Sequence, residues 1–364
     1  MIPLTLPSTK LLCLTALFSV LDILPAFMSV RQNQLHAQEQ LTNSNGDADT
    51  AAAGDSVPPG YRTRKKMQKL ADHFDQLVRQ NPNDPLALAG LAESSPLLWC
   101  YGFVPRHEVF PAAKSAAIRA VEQDDGFGPA HTALGAIRLM DWNWSEAERE
   151  FKRGIELSPE DPKCRHWYGM YLAAMGRHRE AMEQSRRAVE LDSSGRFRIG
   201  RGAILYFVGE WAEMVDYMQT TVELDPTSDA AHDWLGMALV QEKQFDESIR
   251  IYRKAVELSG GSAEITAGLG HAYGVAGRRR EAAQVLEKLD ALSESWYVPP
   301  VQIAYVCAGL GQNDRAFELL EKAFQEKSWE LVFVRTEPWF DHLHSDPRFV
   351  NLLRRMKFTN PKAN

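Results

Sequence analysis

Small and large apolar positions recur along this chain as a repeating block. A small residue stands at Gly135, Gly169, Gly202, Gly236, Gly270 and Ala304, at spacings of 34, 33, 34, 34 and 34. A second small position, at Ala147, Ala181, Met214, Ser248, Ala282 and Ala316, keeps the same spacings and the same single deletion. Around them, the larger apolar residues Leu134, Phe151, Tyr168, Leu235, Tyr252, Leu269, Tyr273, Leu286 and Leu320 are expected to fill the space beside the small sites. Each block therefore predicts two helices joined by a short turn, such as Asp141-Trp142-Asn143-Trp144 or Gly176-Arg177. Two antiparallel helices come close only where bulk is missing, so enlarging a small site costs ~1–3 kcal/mol. Met214 breaks the rule and predicts a splayed or shifted third block. Pro159 and Pro226 end second helices, because proline cannot continue the hydrogen-bond ladder.

A helix–turn–helix period of about 34 residues is the tetratricopeptide (TPR) signature, and the chain resembles that family. The resemblance implies an all-α fold: a right-handed TPR superhelix, or alpha-alpha solenoid, closed by a C-terminal capping helix. Six repeats are expected over 128–327, irregular TPR-like helices over 62–127, and a cap and tail over 328–364.

The flanks read differently. Lys10 precedes an apolar run from Leu11 to Val30, broken only by Asp22 and Pro25. Residues 1–30 are either a cleaved signal peptide or a retained membrane anchor. Asp22 counts against the anchor, since an acid at mid-membrane costs ~2.5–3.5 kcal/mol on insertion scales. Both options place the protein outside the cytoplasm or on a membrane; a mis-called start would leave it cytoplasmic. Residues 31–61 are rich in Gln, Asn, Asp, Ala and Gly, with too little apolar surface to offset ordering, and read as a disordered linker. Met67, Leu70, Phe74 and Leu77 mark a helix that Asn81-Pro82 stops, and Leu88 to Ala92 and Ala112 to Val121 mark the next pair. The long connection between those two holds Trp99, Tyr101 and Phe103, an aromatic surface expected to pack on the open end of the array. At the other end, Trp329 to Val334 is an apolar run, Glu337-Pro338-Trp339-Phe340 a turn, and Asp346-Pro347 the start of a helix. Phe349, Leu352, Leu353 and Met356 give that helix one apolar face, as a terminal cap needs.

Charge and chemistry exclude several functions. A net charge of −7 without a basic stripe excludes nucleic acid as the main partner. The groups Arg196/Arg198/Arg201 and Arg278-Arg279-Arg280 read as solvated helix faces or turns. Cys13, Cys100, Cys164 and Cys307 are too far apart for a zinc motif or a disulfide framework. Gly268-Leu269-Gly270-His271-Ala272-Tyr273-Gly274 imitates a dinucleotide loop, but no strand precedes it and its glycines fall on repeat sites. His342-x-His344 beside Asp341 and Asp346 reads as a surface turn. No Ser/His/Asp or Cys/His set stands out, so no catalytic residue, metal or cofactor is expected, and the chain is read as a non-enzyme.

Three markers narrow the resemblance: the 141–144 loop with Ala147-Glu148-x-Glu150-Phe151; Tyr297-Val298-Pro299-Pro300 followed by Gly309-Leu310-Gly311; and Pro338-Trp339-Phe340-Asp341 with Ser345-Asp346-Pro347-Arg348-Phe349. Over about residues 62–358 they resemble the TPR tails found behind bacterial protein kinase, adenylate cyclase and winged-helix regulator domains. No such effector domain fits the first sixty residues, so that chemistry is not carried over.

In such arrays the first helices line a concave face. The fifth repeat positions here are Thr132, His166, Ile199, Asp233, Ala267 and Val301, and the ninth are Ala136, Met170, Ala203, Met237, His271 and Tyr305. They contain no Lys and no Asn, so a clamp for acidic chaperone-type tails is not expected. With the twelfth and thirteenth positions they form an apolar trough, whose candidate peptide-binding residues are Met140, Met170, Ala174, Tyr206, Phe207, Met237, His271 and Tyr305. The expected partner is a protein or peptide segment with an apolar face. The alternative is a superhelix wound so tightly that these residues bury one another. Two functions follow: a non-catalytic scaffold for protein–protein interaction, or a regulatory sensor module working with a separate kinase, cyclase or transcription regulator.

Overall fold

In a computed structural model the structure describes residues 61–358 except 193, 194 and 196. The expected leader or anchor, the linker, Cys13 and Arg196 lie outside the described residues. Helix α1 (Tyr61–Gln80) leads into a pair, α2 (Pro85–Ser94) and α4 (Arg106–Gln123), with the one-turn α3 (Leu97–Cys100) between them. Six pairs follow: α5 (Gly128–Met140) with α6 (Trp144–Leu157), α7 (Pro162–Ala174) with α8 (His178–Leu191), and α9 (Arg198–Val208) with α10 (Trp211–Leu224). The next are α11 (Asp229–Gln241) with α12 (Phe245–Ser259), α13 (Ala263–Val275) with α14 (Arg279–Ser295), and α15 (Pro300–Gly309) with α16 (Asn313–Glu326). The chain then makes two 3-10 segments, η1 (Trp329–Phe333) and η2 (Pro338–Leu343), and ends in α17 (Pro347–Arg355). No strand occurs among the described residues; the fold is a TPR-like helical solenoid.

Six times, the turn inside a pair is the same device. One or two residues after each first helix the chain takes a left-handed conformation, at Trp142, Gly176, Gly209, Lys243, Gly277 and Gly311, with φ between 59° and 85°. The following amide then bonds a carbonyl five residues back, as from Arg177 to Leu172 (2.8 Å) and Gln312 to Cys307 (2.8 Å). This is the Schellman closure, which satisfies helix-end carbonyls and reverses the chain. Glycine adopts it freely, whereas Trp142 accepts it at a cost of about 1–2 kcal/mol.

The small sites act as holes for large residues sixteen positions on. A Cβ on Gly135 would lie 2.6 Å from the Phe151 ring, on Gly236 2.8 Å from the Tyr252 ring, and on Gly202 2.4 Å from Met218 Sδ. The second small position closes the same approach: Ser248 Oγ donates to the Gly236 carbonyl at 2.9 Å. Met214 is accommodated fully buried at that position. The glycine string near 270 is packing: Gly268 faces Tyr252, Gly270 faces Val285 and Val306, and Gly274 abuts the backbone of Gly309.

The array turns until its ends meet. Trp142 packs on Phe324 with ring centroids 5.3 Å apart, Trp144 stacks on Phe358 at 4.7 Å, and Trp144 Nε1 donates to the Met356 carbonyl at 2.8 Å. Asp141 holds Arg106 (2.9 Å), Lys114 (2.5 Å) and Lys327 (2.9 Å) together. The aromatic connection after α2 does pack on the far end: Trp99 is buried, and a Cβ on Gly102 would lie 2.8 Å from Pro299. The cap also forms, with Asp346 accepting from the Arg348 amide (2.8 Å) and Phe349, Leu352 and Met356 buried. Because a Gly274 Cβ would fall 2.5 Å from main-chain Gly309, Gly274→Ala must move backbone. It is expected to lower stability by ~1–3 kcal/mol in urea denaturation, whereas an unchanged midpoint would mean the crossing is looser than described.

Candidate functional site

The chain's own C-terminal segment packs against residues expected to line the trough. Phe333 stacks face to face on Phe207, with centroids 4.2 Å apart and planes 10° from parallel. Trp339 stacks on His271 at 4.2 Å and stands edge-on to Tyr305 at 4.8 Å, while Phe340 stacks on Tyr305 at 5.2 Å. Trp329 meets Trp167 edge to face at 6.1 Å. Leu331, Val332, Phe333, Trp339, Phe340 and Leu343 are all buried.

Of the eight candidate residues, Tyr206, Phe207, His271 and Tyr305 touch this segment through ring contacts or a hydrogen bond. Met170, Ala174 and Met237 are buried in the same core. Met140 belongs instead to the N-terminal cluster around Leu98, Trp99 and Phe110. The trough is therefore not an open channel, and charging Met170 or Phe207 disrupts core as well as any binding face. The occupant was not recognised as one from the sequence. Its available signal was an apolar run, Trp329 to Val334, lacking helical or strand period.

The trough carries buried polar chemistry. Tyr206 Oη donates to Glu337 Oε1 at 2.7 Å, and the Trp339 amide bonds the same oxygen at 3.2 Å. Burial pushes the Glu337 carboxyl up to about 7 against the pull of those bonds. Burial likewise lowers His271 to about 4, its Nδ1 lying 2.8 Å from the Tyr305 carbonyl oxygen. Glu330 on η1 is raised to about 8, again chiefly by burial. Cys164 and Cys307 are buried free thiols, raised to about 12 and about 11 by burial, so they are inert as nucleophiles. His342 faces Asn313 Oδ1 at 3.2 Å, and His344 lies 3.9 Å from Asp341. Among the described residues no group of three or more His, Cys, Asp or Glu side chains is arranged to hold a metal ion.

Residues 162–194 and 239–293 match family profiles for the tetratricopeptide repeat. Over 130 residues the chain is 26% identical to the transcriptional regulator HilA of Salmonella typhimurium and of Salmonella paratyphi A, a match covering 36% of this chain. It spans about a quarter of those proteins' length, 24%. Among solved structures, the APC/C hetero-tetramer Cut9–Hcn1 is similar with a TM-score of 0.53 at 17% identity, covering 89% of this chain and 59% of that one. Pseudomonas aeruginosa pilF gives a TM-score of 0.42 at 17% identity, covering 63% and 94%. At these identities the structural likeness concerns the fold.

The buried Glu337 makes the seated segment pH-sensitive. Its carboxyl keeps a proton up to about 7 in the folded chain, but releases it near ~4.3 when unfolded. The stabilisation is complete below the unfolded value and is lost as pH rises towards 7. Glu337→Gln, uncharged throughout, is expected to melt like the parent at pH 4 and to be ~1–3 kcal/mol more stable at pH 8. Equal stabilities at both pH values would show that Glu337 is solvated.

Proposed function

The chain is a tetratricopeptide-repeat protein, and from that premise we propose that it is a non-catalytic scaffold for a protein partner. TPR arrays present a concave face of first helices to extended or helical segments. The observation that carries the reading is the seated segment itself. The apolar trough holds residues 329–343 by aromatic stacking and one buried hydrogen bond, as an apolar peptide ligand would be held. We assign the trough as a segment-binding face whose resident ligand is the chain's own tail. An external partner either competes for the trough or docks on the outer face of the array. The partial similarity to HilA supports a second reading, a regulatory module beside a separate effector.

Cross-linking in native cells followed by mass spectrometry tests the scaffold. One protein recovered reproducibly at a defined cross-link is the expected result, and reaction with bulk protein alone would oppose it. Charging the trough by Met170→Asp or Phe207→Asp is expected to lower the melting midpoint sharply. Burying an unpaired charge there is costly, and loss of the Phe207–Phe333 stack adds to it. Normal melting combined with lost partner recovery would instead make the trough an open external site.

We also propose that residues 1–30 direct export, cleaved or retained as a membrane tether, on the strength of Lys10 and the apolar run after it. Fusing residues 1–60 to a reporter active only outside the cytoplasm should give signal, and a silent fusion would favour a cytoplasmic protein.

A further inference from the structure

The Asp141-Trp142-Asn143-Trp144 turn, where the ends of the array meet, carries an unbalanced charge cluster. Asp141 gathers three cations from distant parts of the chain: Arg106 and Lys114 of α4, and Lys327, the residue that follows α16. Arg106 Nη2 and Lys327 Nζ donate to the same oxygen, Oδ1, each at 2.9 Å, so their charged heads stand within two hydrogen-bond lengths of each other. Lys114 Nζ donates to Oδ2 at 2.5 Å. Among the described residues none of the three makes a second ion pair, so one acid answers three cations. Against the upward push of burial, the two lysines hold the Asp141 carboxyl below its ordinary range, so that it is ionised at neutral pH. Other ion-pair networks of the array are balanced. Arg177 pairs with Glu180 as well as Glu148, which also holds Lys152, and Arg348 is shared between Asp314 and Asp346. At Asp141 the surplus is two positive charges, and like charges held this close repel.

A second observation, independent of the charges, is a set of donors without acceptors. Arg106 Nε and Trp142 Nε1 are buried and have no hydrogen-bond partner. Each ammonium uses one of its three hydrogens on Asp141, and Arg106 one of its five. The donors are held in place: the Arg106 guanidinium lies 3.5 Å over the Phe110 ring, and Lys327 Nζ stands 5.5 Å over Trp142. They are also reachable, since the side chains of Lys114 and Lys327 are 38% and 40% exposed. Two of these residues keep a left-handed backbone without being glycine, Trp142 with φ 61° and Lys327 with φ 54°. Strain of that kind collects where a geometry is held for use.

We propose that Arg106, Lys114 and Lys327, with Trp142, form a binding site for a phosphate group, and that Asp141 holds the three cations in position for it. A phosphate dianion matches the surplus of two charges, and its oxygens accept from several directions at once, as two ammonium heads and a guanidinium edge require. A carboxylate brings only one charge. An occupied site also latches the ring, because α4, the 141–144 turn and the end of α16 then share one anion. The inference goes beyond the scaffold reading and does not depend on it.

The test uses the full chain at low ionic strength, with inorganic phosphate titrated by calorimetry and the melting midpoint followed alongside. Saturable binding and a raised midpoint are expected at pH 8, and weaker binding at pH 5.5, where phosphate carries a single charge. Acetate is expected to bind roughly tenfold or more weakly than phosphate. The variant K114Q/K327Q leaves Asp141 paired with Arg106 alone, so it should fold and bind phosphate roughly tenfold or more weakly. The variant R250Q/K254Q removes the same charge from exposed pairs on α12 and should change affinity less than about twofold. Asp141→Asn supplies a readout that a purely structural ion cluster would not move: its midpoint should fall in chloride and recover in phosphate. A peptide carrying one phosphoserine, run against its serine counterpart, names the source of the anion. Tighter binding than inorganic phosphate assigns it to a phosphorylated partner segment, and equal or weaker binding to a small phosphorylated molecule; both support the site. No saturable binding by either probe, equal losses in the two double variants, acetate as tight as phosphate, or no recovery of Asp141→Asn would overturn it.

Discussion

The first-helix residues beneath the C-terminal segment are too apolar to be left open to water, and the rest of the architecture follows from covering them. Met170, Tyr206, Phe207 and Met237 belong to one buried cluster with Tyr305 packed against it, and His271 lies under Trp339. Exposed together they would make a contiguous apolar patch larger than a soluble surface normally tolerates. The chain supplies its own cover, laying Phe333 on Phe207 and Trp339 on His271. Seating that segment brings Lys327 to Asp141 and the end of the cap to Trp144. Ring closure and tail seating are two consequences of one burial. It also explains why Trp142 is tolerated where four sister turns have glycine: its indole packs on Phe324 beneath the Lys327 ammonium at 5.5 Å, offsetting the left-handed backbone.

The repeat was legible in the sequence because its determinants are local. Gly135 makes room for Phe151, and Gly236 for Tyr252, within one block, so a 34-residue period exposes them. The cap was legible for the same reason: Asp346, Pro347 and the Phe349–Met356 face lie within eleven residues. The trough lining was legible in outline from the fifth, ninth, twelfth and thirteenth positions. What fills it was not, because Tyr206 and Glu337 are 131 residues apart and no pattern links them. A non-periodic apolar run after a repeat array is the signal to look for, since residues such as Trp329 and Phe333 must find a surface outside their own helix.

The face covered by the tail is aromatic, and its buried Glu337 accepts from the Tyr206 hydroxyl and the Trp339 amide, so one carboxylate ties a first helix to the seated segment.

The central claim is that residues 329–343 belong to the folded core of the concave face. Native-state hydrogen exchange tests it most directly. The amides bonded across η1 and η2, those of Leu331, Val334 and Phe340 among them, should exchange as slowly as the first-helix amides of α9 and α13, through global opening. Exchange of that segment at loop-like rates, with the first helices still protected, would contradict the account.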